Sequence, residues 1–190
     1  MRVHPDKKGI RALGIAESFV KGESEKAVLA GVVMRGDLQI DGFGLGRITV
    51  GGMDATQGVL DIYHGLGRTD INLLLLNGCV ISLFNLVDLG ALFADLAIPI
   101  ICVTYEESEG LEGYLRELED AGERIELYRA LGERTPVELR TGHRVLVRYQ
   151  GIETEREVKA FLDRFTLQGA VPEPLKVARL LARSLLRSGF

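Results

Sequence analysis

Glu17, Asp54 and Asn77 each stand where an apolar run stops or the hydropathy period changes. Glu17 follows the run 10–16, Asn77-Gly78 closes the run 71–76, and Asp54 follows Gly51-Gly52 at the start of a helical pattern. Brought together, two carboxylates and one amide oxygen can hold a hard divalent cation such as Mg²⁺ or Mn²⁺, which takes oxygen ligands and retains waters. A cation so held activates water and neutralises phosphate charge in a hydrolytic step. Each residue also has a plainer reading. Asp54 could cap the helix it precedes, Glu17-Ser18 could end a strand in solvent, and Asn77-Gly78 could simply turn the chain. Asn85 and Asp88 are three apart in a mostly apolar stretch and would share a helical face. A buried Asp88 requires a partner, so the pair serves as candidate support for the site.

The elements that would position these groups follow from periodicity. Residues 10–16 read as a first strand, the eight apolar residues 27–34 as a second, and 37–50 as a third, glycine-interrupted hairpin arm. Consecutive strands of this kind pair antiparallel. From 53 to 66 the apolar spacing becomes helical. The run 71–76 is continuous enough for a strand covered on both faces. A helix over 83–96 and a strand over 98–103 complete a βαβ crossover, with Pro99 confined to the strand's start. Beyond it come a charged helix over 109–123, a late edge strand over 145–149, and helices over 153–165 and 175–186. This is one α/β domain over 1–190, with a mixed sheet whose strand ends carry Glu17, Asn77 and the polar run 104–107.

Composition narrows the function classes. The 190 residues carry 23 basic and 27 acidic side chains, so the net charge of -4 gives no general attraction to phosphate. A nucleic-acid contact would need a local basic patch. Arg35 is one candidate, and Lys176, Arg179 and Arg183 recur at helical spacing with Arg187. A second basic cluster comprises Arg2, Lys7, Lys8 and Arg11, and either set could equally be a solvated surface. His4, His64 and His143 form no zinc spacing. The glycine-rich stretches match neither Walker nor dinucleotide patterns, and no serine sits in a GxSxG setting. Cys79 and Cys102 lie in apolar surroundings without a CxxC, which reads as two small buried thiols of a cytoplasmic protein. No apolar run reaches membrane-spanning length.

Several segments together resemble a known family. Gly31-Val-Val-Met-Arg-Gly-Asp37, Asp41-Gly42, Ile48-Thr-Val-Gly-Gly-Met-Asp-Ala-Thr56, Phe84-Asn-Leu-Val-Asp88, Ile98-Pro99 and Val171-Pro-Glu-Pro-Leu-Lys-Val-Ala178 are similar to a mainly archaeal family described as deoxyuridine-specific endonucleases and related to endonuclease V. The resemblance implies a ribonuclease-H-like mixed sheet, three antiparallel strands first. It also implies Mg²⁺- or Mn²⁺-dependent cleavage of DNA or RNA near a deaminated base, uracil or hypoxanthine. In that pattern the hairpin carboxylate falls at Asp54. The acidic residue after the central strand falls at Asn77, and the first-strand one at Ala16, beside Glu17. Two of the three acidic positions are therefore changed. A nucleic-acid-binding module of the same fold with degenerate or absent catalysis is the alternative expectation. On a regular strand Glu17 points to the face opposite Ala16.

Overall fold

A computed structural model describes residues 3–106 and 110–190. Strands β1 (Arg11–Ser18), β2 (Lys26–Arg35) and β3 (Ile40–Thr49) form an antiparallel meander, and helix α1 (Ala55–Gly65) follows. β4 (Leu73–Asn77) then lies parallel to β1, with Ile15 beside Leu76. A small hairpin, β5 (Val80–Ile81) and β6 (Asn85–Leu86), leads into α2 (Leu89–Leu96) and β7 (Ile100–Thr104), which runs parallel to β4. α3 (Glu112–Leu115) and α4 (Ala121–Ala130) precede β8 (Thr135–Glu138) and β9 (Arg144–Gln150), and α5 (Glu155–Phe165) and α6 (Glu173–Arg187) close the chain. The seven-stranded sheet has the order β3-β2-β1-β4-β7-β9-β8. The expected mixed sheet, with three antiparallel strands followed by parallel ones, is the one observed.

Both faces of the sheet are covered, which is why its central strands are apolar throughout. On one side Leu13, Ile15, Leu74 and Leu76 pack with Val59 and Ile62 of α1 and Leu92 of α2. On the other, Ala12, Leu73 and Leu75 meet Phe161 and Phe165 of α5 and Leu175 of α6. Glycine permits a close helix approach. A Cβ on Gly14 would lie 2.5 Å from the Pro174 side chain, so α6 can rest on β1 only where the strand lacks a side chain. Ala178 then packs on Ala16, and Ala182 on Val28 and Ala30, so α6 runs out over the carboxyl end of β1.

Several expectations are corrected. Residues 83–88 are not helical. Ser82, Leu83 and Phe84 all have positive φ and form the tip of the β5–β6 hairpin, so α2 begins only at Leu89. Asn85 and Asp88 therefore share no helical face. The apolar pattern fitted a helix because the hairpin buries Ile81, Leu86 and Val87 almost as closely as a helix would. The charged stretch after 106 is divided into two helices by a turn, and its residues 107–109, with Glu107 and Glu109, lie outside the described residues. Strand β9 is interior, because the short β8 pairs along it and takes the edge. The two cysteines are not separate thiols. Cys79, just past β4, and Cys102, on β7, are joined as a disulfide with Cα atoms 6.1 Å apart. Pairing of Leu76 with Cys102 draws the chain leaving β4 against β7. Among the described residues no helix is long and apolar enough to cross a membrane.

Candidate active site at the strand ends

The parallel register brings the carboxyl ends of β1 and β4 side by side. Ile15 pairs with Leu76, so Ala16 and Asn77 are the next neighbours. β1 continues regularly through Ser18, with Ala16 opposite Ala30 and Glu17 opposite Leu29. Alternation therefore sends Glu17 to the α1 face and Ala16 to the α6 face, and no bend reverses them. Glu17 and Asn77 nonetheless line one small cavity with Ile15, Leu76, Gly78 and Ile81, because both stand at the ends of adjacent strands. Its volume of about 10 Å³ is close to that of a single water-sized probe.

Three side-chain oxygens in this region are buried without a hydrogen-bond partner, Glu17 Oε2, Asn77 Oδ1 and the hydroxyl of Ser82. The other Glu17 oxygen accepts a long hydrogen bond from the Ser82 N–H, at 3.4 Å. Burial raises the Glu17 pKa, and Ser82 opposes that rise only in part. Leaving buried acceptors unpaired costs stability, so such atoms call for an explanation such as an ordered water, an ion or a catalytic role.

Asp54 is placed differently. Its backbone precedes α1, but its side chain makes no capping bond to that helix. The carboxylate turns back instead and accepts from the Thr49 N–H at 3.0 Å and the Thr49 hydroxyl at 2.7 Å. It also accepts from the Asn85 amide at 2.7 Å. Burial works to raise its pKa, but the Thr49 and Asn85 donors outweigh it and the net shift is downward. Asn85 is fully buried; its oxygen receives the Ala55 N–H at 2.9 Å and its amide also donates to the Thr49 carbonyl at 2.8 Å. Asp88 caps α2 by accepting from the Ala91 N–H. Thus Asn85 supports Asp54 directly, whereas Asp88 anchors the next helix.

The β5–β6 hairpin links these groups. Ser82 reaches Glu17 through its N–H and receives the Gly51 N–H at its carbonyl, 2.7 Å away. Arg124 of α4 is buried beneath this junction. Its guanidinium donates to the carbonyls of Gly51 at 2.6 Å, Gly52 at 3.0 Å and Phe84, and pairs with Asp120 at 2.5 Å. The sequence reading missed Arg124, which sits in a charged segment with no distinguishing spacing. Thr49, within the segment 48–56, likewise carries no mark in the sequence of its bonds to Asp54.

The donor chemistry suits a hard cation only in part. Glu17 Oε2 and Asn77 Oδ1 are free oxygens of the type that Mg²⁺ takes, but they supply one negative charge and emerge from opposite faces of the sheet. A shared ion would have to sit at the strand-end edge and keep most of its waters. Asp54 already accepts from three donors, which leaves its carboxylate about one lone-pair site for a further ligand. Among the described residues no group of three or more His, Cys, Asp or Glu side chains is arranged to hold a metal ion.

The basic candidates separate. Arg35 pairs in register with Arg11, at the end of the sheet opposite Glu17, and bonds Asp37 at 2.7 Å. Lys176 is paired with Glu173 at 2.5 Å. Arg179 and the exposed Arg183 lie further along α6, toward the strand ends. Arg11 belongs to a network in which Arg11 and Arg68 both contact Asp41 and Asp70.

Comparison with known proteins is consistent in fold. The sequence model described as Endonuclease dU matches residues 8–186. A UPF0215 protein of Pyrobaculum calidifontis is 37% identical over 172 residues, covering 90% of this chain and 93% of the relative. One from Pyrococcus furiosus is 32% identical over 188 residues, covering 95% and 94%. Among solved structures, a protein of unknown function from Archaeoglobus fulgidus aligns with a TM-score of 0.79 at 25% identity, covering 93% of this chain and 98% of that one. Endonuclease V of Ciona intestinalis, in complex with DNA containing an inosine followed by a ribo-adenosine, aligns with a TM-score of 0.65 at 14% identity, covering 100% and 92%. The mixed sheet with its flanking helices is thus the ribonuclease-H-like fold of endonuclease V.

Proposed function

The chain belongs to the Endonuclease dU family, and on that premise we propose that it is a Mg²⁺- or Mn²⁺-dependent endonuclease that hydrolyses a phosphodiester in nucleic acid containing a deaminated base. The observation carrying this reading is the pair of buried, partnerless oxygens, Glu17 Oε2 and Asn77 Oδ1, at the ends of adjacent strands. A bound divalent cation would supply charge neutralisation at the phosphate and a more acidic water. Glu17 would provide the negative oxygen and Asn77 a neutral one. Asp54, its pKa lowered by Thr49 and Asn85, would serve as a fixed negative charge at the start of α1, linked to Glu17 through the Gly51–Ser82 backbone bond. DNA is the favoured partner and RNA an alternative, with Arg179 and Arg183 the best placed of the basic candidates to meet the backbone.

A second reading is favoured by the engagement of Asp54 and by Ala16 at the first acidic position of the family pattern. Here the domain binds nucleic acid with weak or absent cleavage. Incubating the protein with uracil-, hypoxanthine- and undamaged oligonucleotides, in Mn²⁺ or in EDTA, separates the two. Cleavage of a deaminated strand only with metal supports the nuclease. Binding without cleavage supports the module, and neither binding nor cleavage overturns both.

A further inference from the structure

The tip of the β5–β6 hairpin takes part in an aromatic pair that the metal-dependent step leaves unused. The Phe84 ring stacks on that of Tyr114 from α3, with centroids 6.2 Å apart and planes 16° from parallel. Phe84 is half-buried, whereas Tyr114 is 62% exposed, so most of its ring is reachable from outside. Both halves of the pair are tied to the groups of the candidate site. Phe84 comes two residues after Ser82, whose N–H reaches Glu17, and directly before Asn85, whose amide holds Asp54 at 2.7 Å. Its carbonyl accepts from Arg124 of α4. α3 is fixed to α4 in turn, because Glu112 bonds Arg129 at 2.9 Å and Leu115 is fully buried. The exposed ring is thus attached, through Phe84, to the hairpin that contacts both carboxylates. Glu117 and Glu119 stand exposed just beyond α3, and their charge disfavours a phosphate there. What this surface offers a nucleic acid is a neutral ring face.

We propose that the Phe84–Tyr114 pair is a stacking platform for an unpaired nucleobase of a strand bound at the Glu17–Asn77 edge. This rests on the nucleic-acid reading of that edge and extends it to a base contact. Stacking on an aromatic ring accepts any base, because every base has a π face, and it needs no opposite charge. Phe84 backs the Tyr114 ring, so little side-chain freedom remains to be lost when a base covers it. Three consecutive non-glycine residues with left-handed backbone, Ser82, Leu83 and Phe84, form the tip, a strained arrangement of the kind kept at functional sites.

The test combines Tyr114→Ala and Tyr114→Phe with strands that lack one base. Binding of fluorescein-labelled, uracil-containing single strands is followed by anisotropy in EDTA, well below the thermal midpoint of every variant. Where the parent binds only with metal, the same comparison is made on KM in Mn²⁺. An abasic site is placed at successive positions on either side of the uracil. With the intact strand Tyr114→Ala should bind roughly tenfold more weakly, the scale of one lost stacked base, and Tyr114→Phe should match the parent. At one position the abasic site should weaken the parent by a similar factor, and there Tyr114→Ala should add no further loss. A merely structural tyrosine would not produce that coupling. Equal binding by Tyr114→Ala and a parent that binds overturns the platform and leaves the nuclease reading standing. So does a Tyr114→Ala loss that adds to the abasic loss at every position, or a loss shared by Tyr114→Phe. A parent protein that neither binds nor cleaves overturns both.

Discussion

The Asn85 amide donates to the Asp54 carboxylate at 2.7 Å, while the Asn85 oxygen takes the Ala55 N–H at 2.9 Å. One buried side chain therefore fixes the acid and also satisfies the first helical N–H of α1, a donor that would otherwise lack an intrahelical partner. Replacing Asp54 by Ala would strand one N–H of the Asn85 amide, whose other still meets the Thr49 carbonyl, and the Thr49 backbone N–H. The expected cost is roughly 1–3 kcal/mol of stability, read as a lowered urea midpoint. Asp54→Asn keeps one acceptor and should cost less. An Asp54→Ala protein as stable as the parent would contradict this network.

Arg124 carries a larger structural burden. It is 3% exposed and ties three carbonyls from two loops to α4. Arg124→Met should destabilise the fold by about 2–4 kcal/mol, because Asp120 and the three carbonyls lose their cation. Since the Gly51–Phe84 junction also holds Ser82 against Glu17, cleavage should fall in kcat more than in KM. Measurement of both parameters on folded protein checks the prediction.

The Arg11–Asp41–Arg68–Asp70 network makes a pH prediction with a definite sign. The Arg11 hydrogen bond is the leading cause that holds Asp41 below its usual pKa, and Arg68 does the same for Asp70. A depressed folded-state value stabilises the fold above the unfolded pKa, near 4. That stability is lost as pH falls through the folded value. Thermal midpoints measured from pH 6 downward should therefore drop below about pH 4, and Arg68→Ala should reduce that drop.

Cys79 and Cys102 offer a chemical check. The denatured protein should resist alkylation without reductant and take up two labels after reduction. Cys102→Ser should lower stability by about 3 kcal/mol, the entropy of closing a loop of this length, on the chain-entropy account. Two labels before reduction would contradict the pairing.

The sheet was legible because its strands announce themselves by burial on both faces. Residues 27–34 and 71–76 fall within or nearly within the observed strands. The site was legible only as three separate strand or helix ends. Asn85 was hidden because residues 83–96 have a helical spacing of apolar groups, while the left-handed backbone at Ser82, Leu83 and Phe84 breaks the helix there. None of those three residues is a glycine that would mark it. The Phe84–Tyr114 stack was hidden too, since rings far apart in sequence meet only through packing, which leaves no trace in spacing. The cysteine pair was misread for a similar reason: residues 23 apart in sequence meet only through the β4–β7 register.

The most direct test of the strand-end site is the cleavage rate of a uracil-containing strand in Mn²⁺ by Glu17→Gln relative to the parent. The substitution preserves shape and removes the buried negative oxygen, so the protein should stay folded. The account predicts a loss of roughly a hundredfold or more, the scale seen when one preorganised electrostatic group is removed. A Glu17→Gln protein that cleaves as fast as the parent would contradict the assignment of Glu17 to the metal-dependent step.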